Sequence, residues 1–524
     1  MPFWIAVHLP RLPLDALQPS WPEAPALAGA RARMPMVVLE QERVVLANRP
    51  AMALGVRAGM RRGGVQALSA EIVHFERDTA AEARLMTSVA LALLRFTPNV
   101  VLDGNGEANG LGPATVALDV TASLRLFGGY RALCRAVKSC VRSLGAWAQI
   151  GCGTTAHGAA WLAAMPLHQD RRGRVHRPRR RAIRQAGMAR LLDGLPVDML
   201  DGLADPMWLD GIGCRTVGQV RRLPRAGLKR RLGTGLLERL DQAYGDTPVR
   251  FDWYVAPPSF LQRMELPGRT ESADGVLSGA QRLLQALAGW LTAHQAGVTR
   301  FVLRLEHERQ RRDAAIAASP VTVSLAEPSR DPDHLSRLLK EKLDRHPFDA
   351  PVVGLALEVE ALDECLPQSE SLFPEPGGGQ AELARVLDTL AARLGREQVL
   401  QPDPAADHRP ERANRWRPVD AAERRARRNI PMPAGLAPER PVWLLDPPLR
   451  LPVRQHRPCH GTPLSLLSRP ERIESGWWDG GLATRDYFIA ERADGLRCWV
   501  YRERPGADGE DEGEYRWFLH GLFA

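Results

Sequence analysis

The stretch whose reading decides the fold is Gly110–Gly129, GLGPATVALDVTASLRLFGG, taken beside the N-terminal Phe3–Leu9, FWIAVHL. VALDV alternates and runs into β-branched Thr121, and WIAV is a short apolar run without charge, so each predicts a buried strand. Around them, residues 80–100 and 130–148 place apolar side chains at helical spacing, with Leu133, Val137, Val141 and Leu144 on one side of the second helix. The centre of the N-terminal half is thus an α/β layer: strands from both ends of the first 150 residues, covered by helices.

At 524 residues the chain is too long for one core, and domains of about 100–200 residues each imply several units. Charged residues at 25% and hydrophobic residues at 44% are ordinary for a globular protein, and the formal charge of +9 favours a polyanionic partner, nucleic acid first. Seven scattered cysteines with no C-x-x-C spacing argue against a disulfide framework or a zinc site, which points to the cytoplasm. MPFWIAVHLPRL lacks the basic start and small-residue cleavage site of a signal peptide. The longest apolar runs fall far short of the ~20 residues that span a bilayer, so no membrane partner is expected.

LDVT-x-S-x-x-L-F-G, with GVRAGM (55–60) upstream and a Gly211-Ile212-Gly213 turn downstream, resembles the Y-family, or lesion-bypass, DNA polymerases. The resemblance implies an α/β multidomain (α+β) right hand: palm at 1–10 and 80–168, fingers at 11–79, thumb at 169–248 and little finger at 255–365. In that family three carboxylates hold two magnesium ions, one at the end of the first strand and an Asp-Glu pair just ahead of LDVT. Here His8, Ala114 and Thr115 match those positions. Mg²⁺ demands hard oxygen ligands, and imidazole, a methyl group and a neutral hydroxyl do not supply them. No cofactor or metal is therefore expected, and the chain reads as a polymerase-like protein that is not an enzyme. Aligning Asp119 with the catalytic aspartate puts Val120 in place of the glutamate and still leaves two acids missing. Asp103 and Glu107, in the loop DGNGEANGLG, are the nearby acids that an active lesion-bypass polymerase with displaced ligands would have to recruit.

The family's triphosphate contacts are altered as well. A Tyr-Glu-Ala-Arg run is replaced by Arg49-Pro50-Ala51-Met52, which leaves Arg49 as a phosphate contact or a solvated surface residue. The helix in IGCGTTAHGAAWLAAMP (150–166) has no lysine, and its His157 reads as a core or surface histidine. Residues 171–184, RRGRVHRPRRRAIR, hold eight arginines in fourteen positions, either a phosphate-neutralising run or a solvated linker.

Leu195–Gly245 resembles the helix-hairpin-helix of the family's thumb, where a glycine turn opens backbone N–H groups to a phosphate without reading sequence. Gly211, Gly213, Arg215, Arg221, Arg222, Lys229 and Arg230 are its candidate DNA contacts. Residues 257–362 read β-α-β-β-α-β, the order of the little finger, with Arg300 and Arg304, and beyond them Arg309, Arg311 and Arg312, on or beside its open face. Pro367–Pro374, PQSESLFP, resembles the peptide by which bacterial polymerases dock on the β sliding clamp: Gln368 for a polar notch, Leu372 and Phe373 for an apolar pocket. Residues 366–437 otherwise read as linker, with a helix at Glu382–Leu394. In 438–524, ERIESGWWDG, RDYF and WFLHGLFA resemble the C-terminal region of the ImuB type within the family, a small β-rich module in which Trp477 and Trp478 read as core residues, with base stacking as the other use. That type implies partners: primer–template DNA, the β clamp, an error-prone C-family DNA polymerase and an ImuA/RecA-like protein, working in translesion synthesis after DNA damage.

Overall fold

The computed structural model describes residues 2–18, 34–103, 110–112, 114–166, 168–169, 175–176, 178–308, 318–364, 380–419, 440–504 and 515–523. Arg309, Arg311, Arg312, Glu107, Cys365 and the whole PQSESLFP peptide lie outside them. The chain divides into two compact units, Met1–Ala392 and Arg393–Ala524.

In the first unit, the opening strands form β1 (Trp4–His8), β2 (Val100–Leu102), β3 (Thr115–Asp119) and β4 (Gln149–Gly153), in the antiparallel order β2-β3-β1-β4. Alternation sorts the two faces. Ile5, Val7, Val116 and Leu118 pack under helices α1 (Thr79–Leu93) and α2 (Tyr130–Ser143), while Trp4, Ala6 and Ala117 meet the alanines of α3 (Ala156–Ala164). Inserted after β1 is a three-stranded sheet in which the hairpin of Met36–Glu40 and Arg43–Ala47 takes Val73–Glu76 as a parallel third strand.

The next segment is helical: α4 (Pro206–Gly211), α5 (Val217–Arg221), α6 (Arg225–Leu232) and α7 (Gly235–Tyr244), sharing a core that includes Leu209, Val217, Val220, Leu236 and Leu240. Between α4 and α5 the chain turns at Gly213, whose φ of +82° lies where a side chain is strained. Thr216 and Gln219 then close a reciprocal cap on α5.

The βαββαβ order is observed as β5 (Leu261–Thr270), α8 (Ala273–Ala293), β6 (Ala296–His307), β7 (Ser319–Ser329), α9 (Pro332–Leu343) and β8 (Val352–Glu364), a sheet of order β5-β8-β6-β7. Phe301, Leu303 and Leu305 face the helices. Helix α8 also lies on α1, so closely at Gly289 that a Cβ there would stand 1.9 Å from the Leu91 carbonyl oxygen. Helix α10 (Gln380–Leu394) docks back on this domain through Ala384 and Asp388, the latter accepting from Ala326 N at 2.5 Å and lying 3.2 Å from His334 Nε2.

The second unit holds a hairpin, Leu400–Pro404 with Asn414–Pro418, where the sequence reads as linker. Its main sheet is built on β9 (Trp443–Leu451), β10 (Glu471–Ser475), β11 (Ala483–Glu491), β12 (Arg497–Glu503) and β13 (Arg516–Leu522), so the β-rich C-terminal module is present. One expectation fails there. Trp477 and Trp478 are 76% and 55% exposed instead of packing in the core. Their loop is held from below by Arg409, which donates to both carboxylate oxygens of Asp407 and of Asp479 and to the Gly481 carbonyl. The core is filled by others, including Tyr487, Trp499 and Tyr501.

Candidate functional site: the His8 end of the central sheet

Antiparallel pairing sets the three positions that match the family's acids side by side. His8 pairs with Thr115 on β3 and with Gln149 on β4, and Leu9 N donates to the Ala114 carbonyl. Paired residues share a face, so Thr115, His8 and Gln149 form one row on the α3 side. His8 Nδ1 lies 3.1 Å from Thr115 Oγ1. Burial pushes the His8 pKa down to about 4, the positive charge of Arg180 adds to this, and a hydrogen bond to the Ala114 backbone opposes it. The imidazole is neutral at physiological pH.

The donor set does not fit a pair of magnesium ions: one neutral imidazole, one buried hydroxyl and one methyl group offer no anionic oxygen. Of the neighbouring acids one is distant and the other stands at this end, bound to the N–H of Gly112, whose carbonyl accepts from Thr115 N at 3.1 Å. Asp119 pairs with Trp4, four residues from His8 and so about 13 Å along the sheet. Its carboxylate accepts from Thr121 N at 3.0 Å and Thr121 Oγ1 at 2.5 Å, closing a local turn. Asp103 follows β2 and accepts from Leu111 N at 2.5 Å and Gly112 N at 3.0 Å, which fastens the end of its loop. Among the described residues, no group of three or more His, Cys, Asp and Glu side chains is placed to hold a metal ion. The described cysteines are buried and free.

One residue at this end was hidden in the basic run. Arg180 leaves residues 178–181 alongside β4, where Cys152 N donates to its carbonyl, and its guanidinium donates to the Met165 carbonyl at the C-cap of α3. An arginine there suits the negative end of the helix. His157, by contrast, is buried and stacked on Phe251. Arg49 is exposed on the surface beside the exposed Met52.

The remaining candidate contacts fall on two surfaces. In the helical segment Gly211, Gly213, Arg215, Arg222, Lys229 and Arg230 are exposed, Arg215 lying 3.6 Å from Asp210. Arg221 is held across the Tyr244 ring, 3.8 Å from its centroid, and by Asp246 at 3.0 Å. On the outer face of the β5-β8-β6-β7 sheet, Arg300 and Arg304 alternate outward but are paired with Glu360 at 3.3 Å and Glu358 at 3.0 Å. Sequence alternation placed these arginines correctly and could not reveal the glutamates across from them.

Residues 26–164 match the family model described as impB/mucB/samB. With the strand order, the helical hairpin and the βαββαβ domain, this match makes the chain similar to one class of proteins, the Y-family, lesion-bypass polymerases. Within the class the chain is similar to the ImuB type. It is 28% identical over 496 residues to Protein ImuB of Caulobacter vibrioides, in strain NA1000 / CB15N and equally in strain ATCC 19089 / CIP 103742 / CB 15, which covers 90% of this chain and 100% of that protein. Among solved structures, a Dbh ternary complex is 14% identical and a DinB from Sulfolobus solfataricus 16%. Each match covers 68% of this chain and 98% of the other, with a TM-score of 0.37. No helix among the described residues is long and apolar enough to cross a membrane.

Proposed function

We propose that this chain is a catalytically inactive, polymerase-like adaptor of DNA-damage-induced translesion synthesis. The observation that carries this reading is the convergence of His8, Ala114 and Thr115 without an anionic oxygen among them. Two-metal phosphoryl transfer needs that charge to hold ions against both the attacking and the leaving oxygen. The exposed Arg222, Lys229 and Arg230, with the helical hairpin and the arginines of the βαββαβ sheet, bind primer–template DNA without regard to sequence. Gln368, Leu372 and Phe373 dock on the β sliding clamp. The C-terminal module recruits an error-prone C-family polymerase and an ImuA/RecA-like protein in the cytoplasm.

The alternative, an active polymerase with displaced carboxylates, would draw on Asp103, which stands at this end of the sheet but is engaged by Leu111 N and Gly112 N, and on Asp119, which lies about 13 Å along the sheet in a turn of its own. A single assay separates the two. The purified chain is expected to retain primer–template DNA and clamp on a gel-shift and a biosensor while adding no nucleotide with Mg²⁺ or Mn²⁺. Template-dependent extension that disappears in an Asp103→Ala, Asp119→Ala variant would overturn the adaptor reading.

A further inference from the structure

Cys134 on α2 and Cys152 on β4, 18 residues apart in the chain, meet in the core of the central layer with their sulfurs 3.4 Å apart. Periodicity brings them together: Cys134 lies with Leu133, Val137 and Val141 on the buried side of α2, and Cys152 shares the helix-facing side of β4 with Ile150. A disulfide bond is about 2.05 Å long, so roughly 1.4 Å remains to be closed.

Two features set this pair apart from cysteines that merely fill a core. The thiols are unequal. A hydrogen bond from Cys152 draws the Cys134 thiol down, with burial opposing and the Arg181 charge assisting, while the same bond and then burial push the Cys152 thiol up. The more acidic sulfur is the readier nucleophile and the other is left to resolve what it forms. The pair also lies near the surface. Residues 180–182 run beside β4, Cys152 N donating to the Arg180 carbonyl at 2.8 Å and Ala182 N to the Cys152 carbonyl at 2.9 Å, and Arg181 between them is exposed. Cys140, also on α2, is the internal control: its sulfur lies 3.9 Å from the Ala92 carbonyl and from Gln285, and burial pushes its thiol up to about 11.

We propose that Cys134 and Cys152 form a reversible disulfide on exposure to a peroxide, stapling α2 to β4. The Cys134 thiolate attacks one peroxide oxygen and the O–O bond breaks, which leaves a sulfenic acid and a hydroxide that takes a proton to become water. The Cys152 sulfur then attacks the sulfenic sulfur. The S–S bond forms, the S–O bond breaks, and the departing hydroxide leaves as a second water with the Cys152 proton. Two thiols lose two electrons and two protons, and one peroxide becomes two waters. Thiol exchange reverses the bond. In a reducing compartment disulfides are transient and redox-sensing, the use that a preformed, reduced contact suits. The staple stands independently of the adaptor reading.

The test treats the reduced full chain with hydrogen peroxide in native buffer containing EDTA, then alkylates the remaining thiols and maps peptides by mass spectrometry. The expected result is the loss of two thiols and a peptide joining Cys134 to Cys152, with Cys140 still alkylated and both thiols restored by dithiothreitol. Closing this short loop is expected to raise the thermal midpoint by about 5 °C. Cys134→Ser and Cys152→Ser should each abolish the cross-link, and Cys140→Ser should keep it. Where a serine variant fails to fold, the wild-type peptide map decides alone. Both thiols intact after peroxide, sulfinic acid at Cys134 without a cross-link, a link that forms only in denaturant, or an oxidised chain that melts no higher than the reduced one would each overturn the proposal.

Discussion

Arg180 in the first unit and Arg409 in the second are both drawn out of water, and they are completed in opposite ways. Arg409 is 3% exposed and closed on every side: two aspartates, each gripped through both oxygens, and a main-chain carbonyl. Arg180 has a carbonyl and no acid. The first arrangement leaves no donor for a ligand and fixes a loop. The second fixes little and leaves charge to spare. Whether an arginine drawn out of water is neutralised or left with uncompensated charge is therefore decided by the carboxylates around it, not by its depth.

Removing each guanidinium is the most direct way to break this comparison. Arg409→Met is expected to cause the largest loss of stability of any change named here, because it strands Asp407 and Asp479, whose carboxyls Arg409 holds well below the usual range, and frees the loop of Trp477 and Trp478. Limited proteolysis should cut near residues 476–482 in the variant and not in the wild type. Arg180→Met strands no acid, and its thermal unfolding should stay close to that of the wild type. Equal damage from both substitutions would show that the carboxylates do not distinguish them.

His8 sharpens the comparison from the side of protons. Its folded pKa is about 4, below the ordinary histidine value of 6.5, so the unfolded chain binds more protons between these pH values. Stability from this group is complete above about pH 6.5 and is lost as pH falls toward 4, by up to roughly 3 kcal/mol. His8→Gln keeps a partner for Thr115 and removes the titration. Denaturant unfolding between pH 4 and pH 7 should give a flatter stability profile for the variant, and parallel profiles would mean that His8 is protonated in the folded chain.

The sequence made much of this architecture legible and its completions much less so. The strands of FWIAVHL and VALDV, the helix ahead of them and the βαββαβ order were readable because one buried face imposes period 2 or 3.6 on the residues. The positions of His8, Ala114 and Thr115 followed from strand ends, and pairing brought them together. Arg180 was not separable from seven other arginines in its run, because what selects it is a main-chain bond to Cys152 and the nearby end of α3, contacts made only in the fold. The hairpin at Leu400–Pro418 was missed because LQPDP and NRWRP carry prolines and charges in a two-stranded ribbon with little buried area. Trp477 and Trp478 were misplaced for the same kind of reason. Composition predicts burial for tryptophan, and the arginine that holds their loop outward lies about seventy residues earlier.

Arg282 is the third case, and the one on which the rule is easiest to test quantitatively. It sits on α8 where that helix packs on α1, 8% exposed, with its pKa pushed down to about 10 by burial and then by the neighbouring charge of Arg84. Arg84 itself leans to Asp78 at 3.6 Å, and no carboxylate is paired with Arg282 among the described residues. This arginine resembles Arg180 in lacking an acid and Arg409 in being closed to solvent, so no anion can relieve it. Methionine keeps the unbranched stem that packs against the helices and removes the uncompensated charge. Arg282→Met is therefore expected to stabilise the first unit by about 1 kcal/mol, read as a higher denaturant midpoint with an unchanged slope. A lower midpoint would mean that the guanidinium is held by neutral groups of the helix interface as firmly as Arg409 is held by its aspartates, and the division drawn by carboxylates would fail.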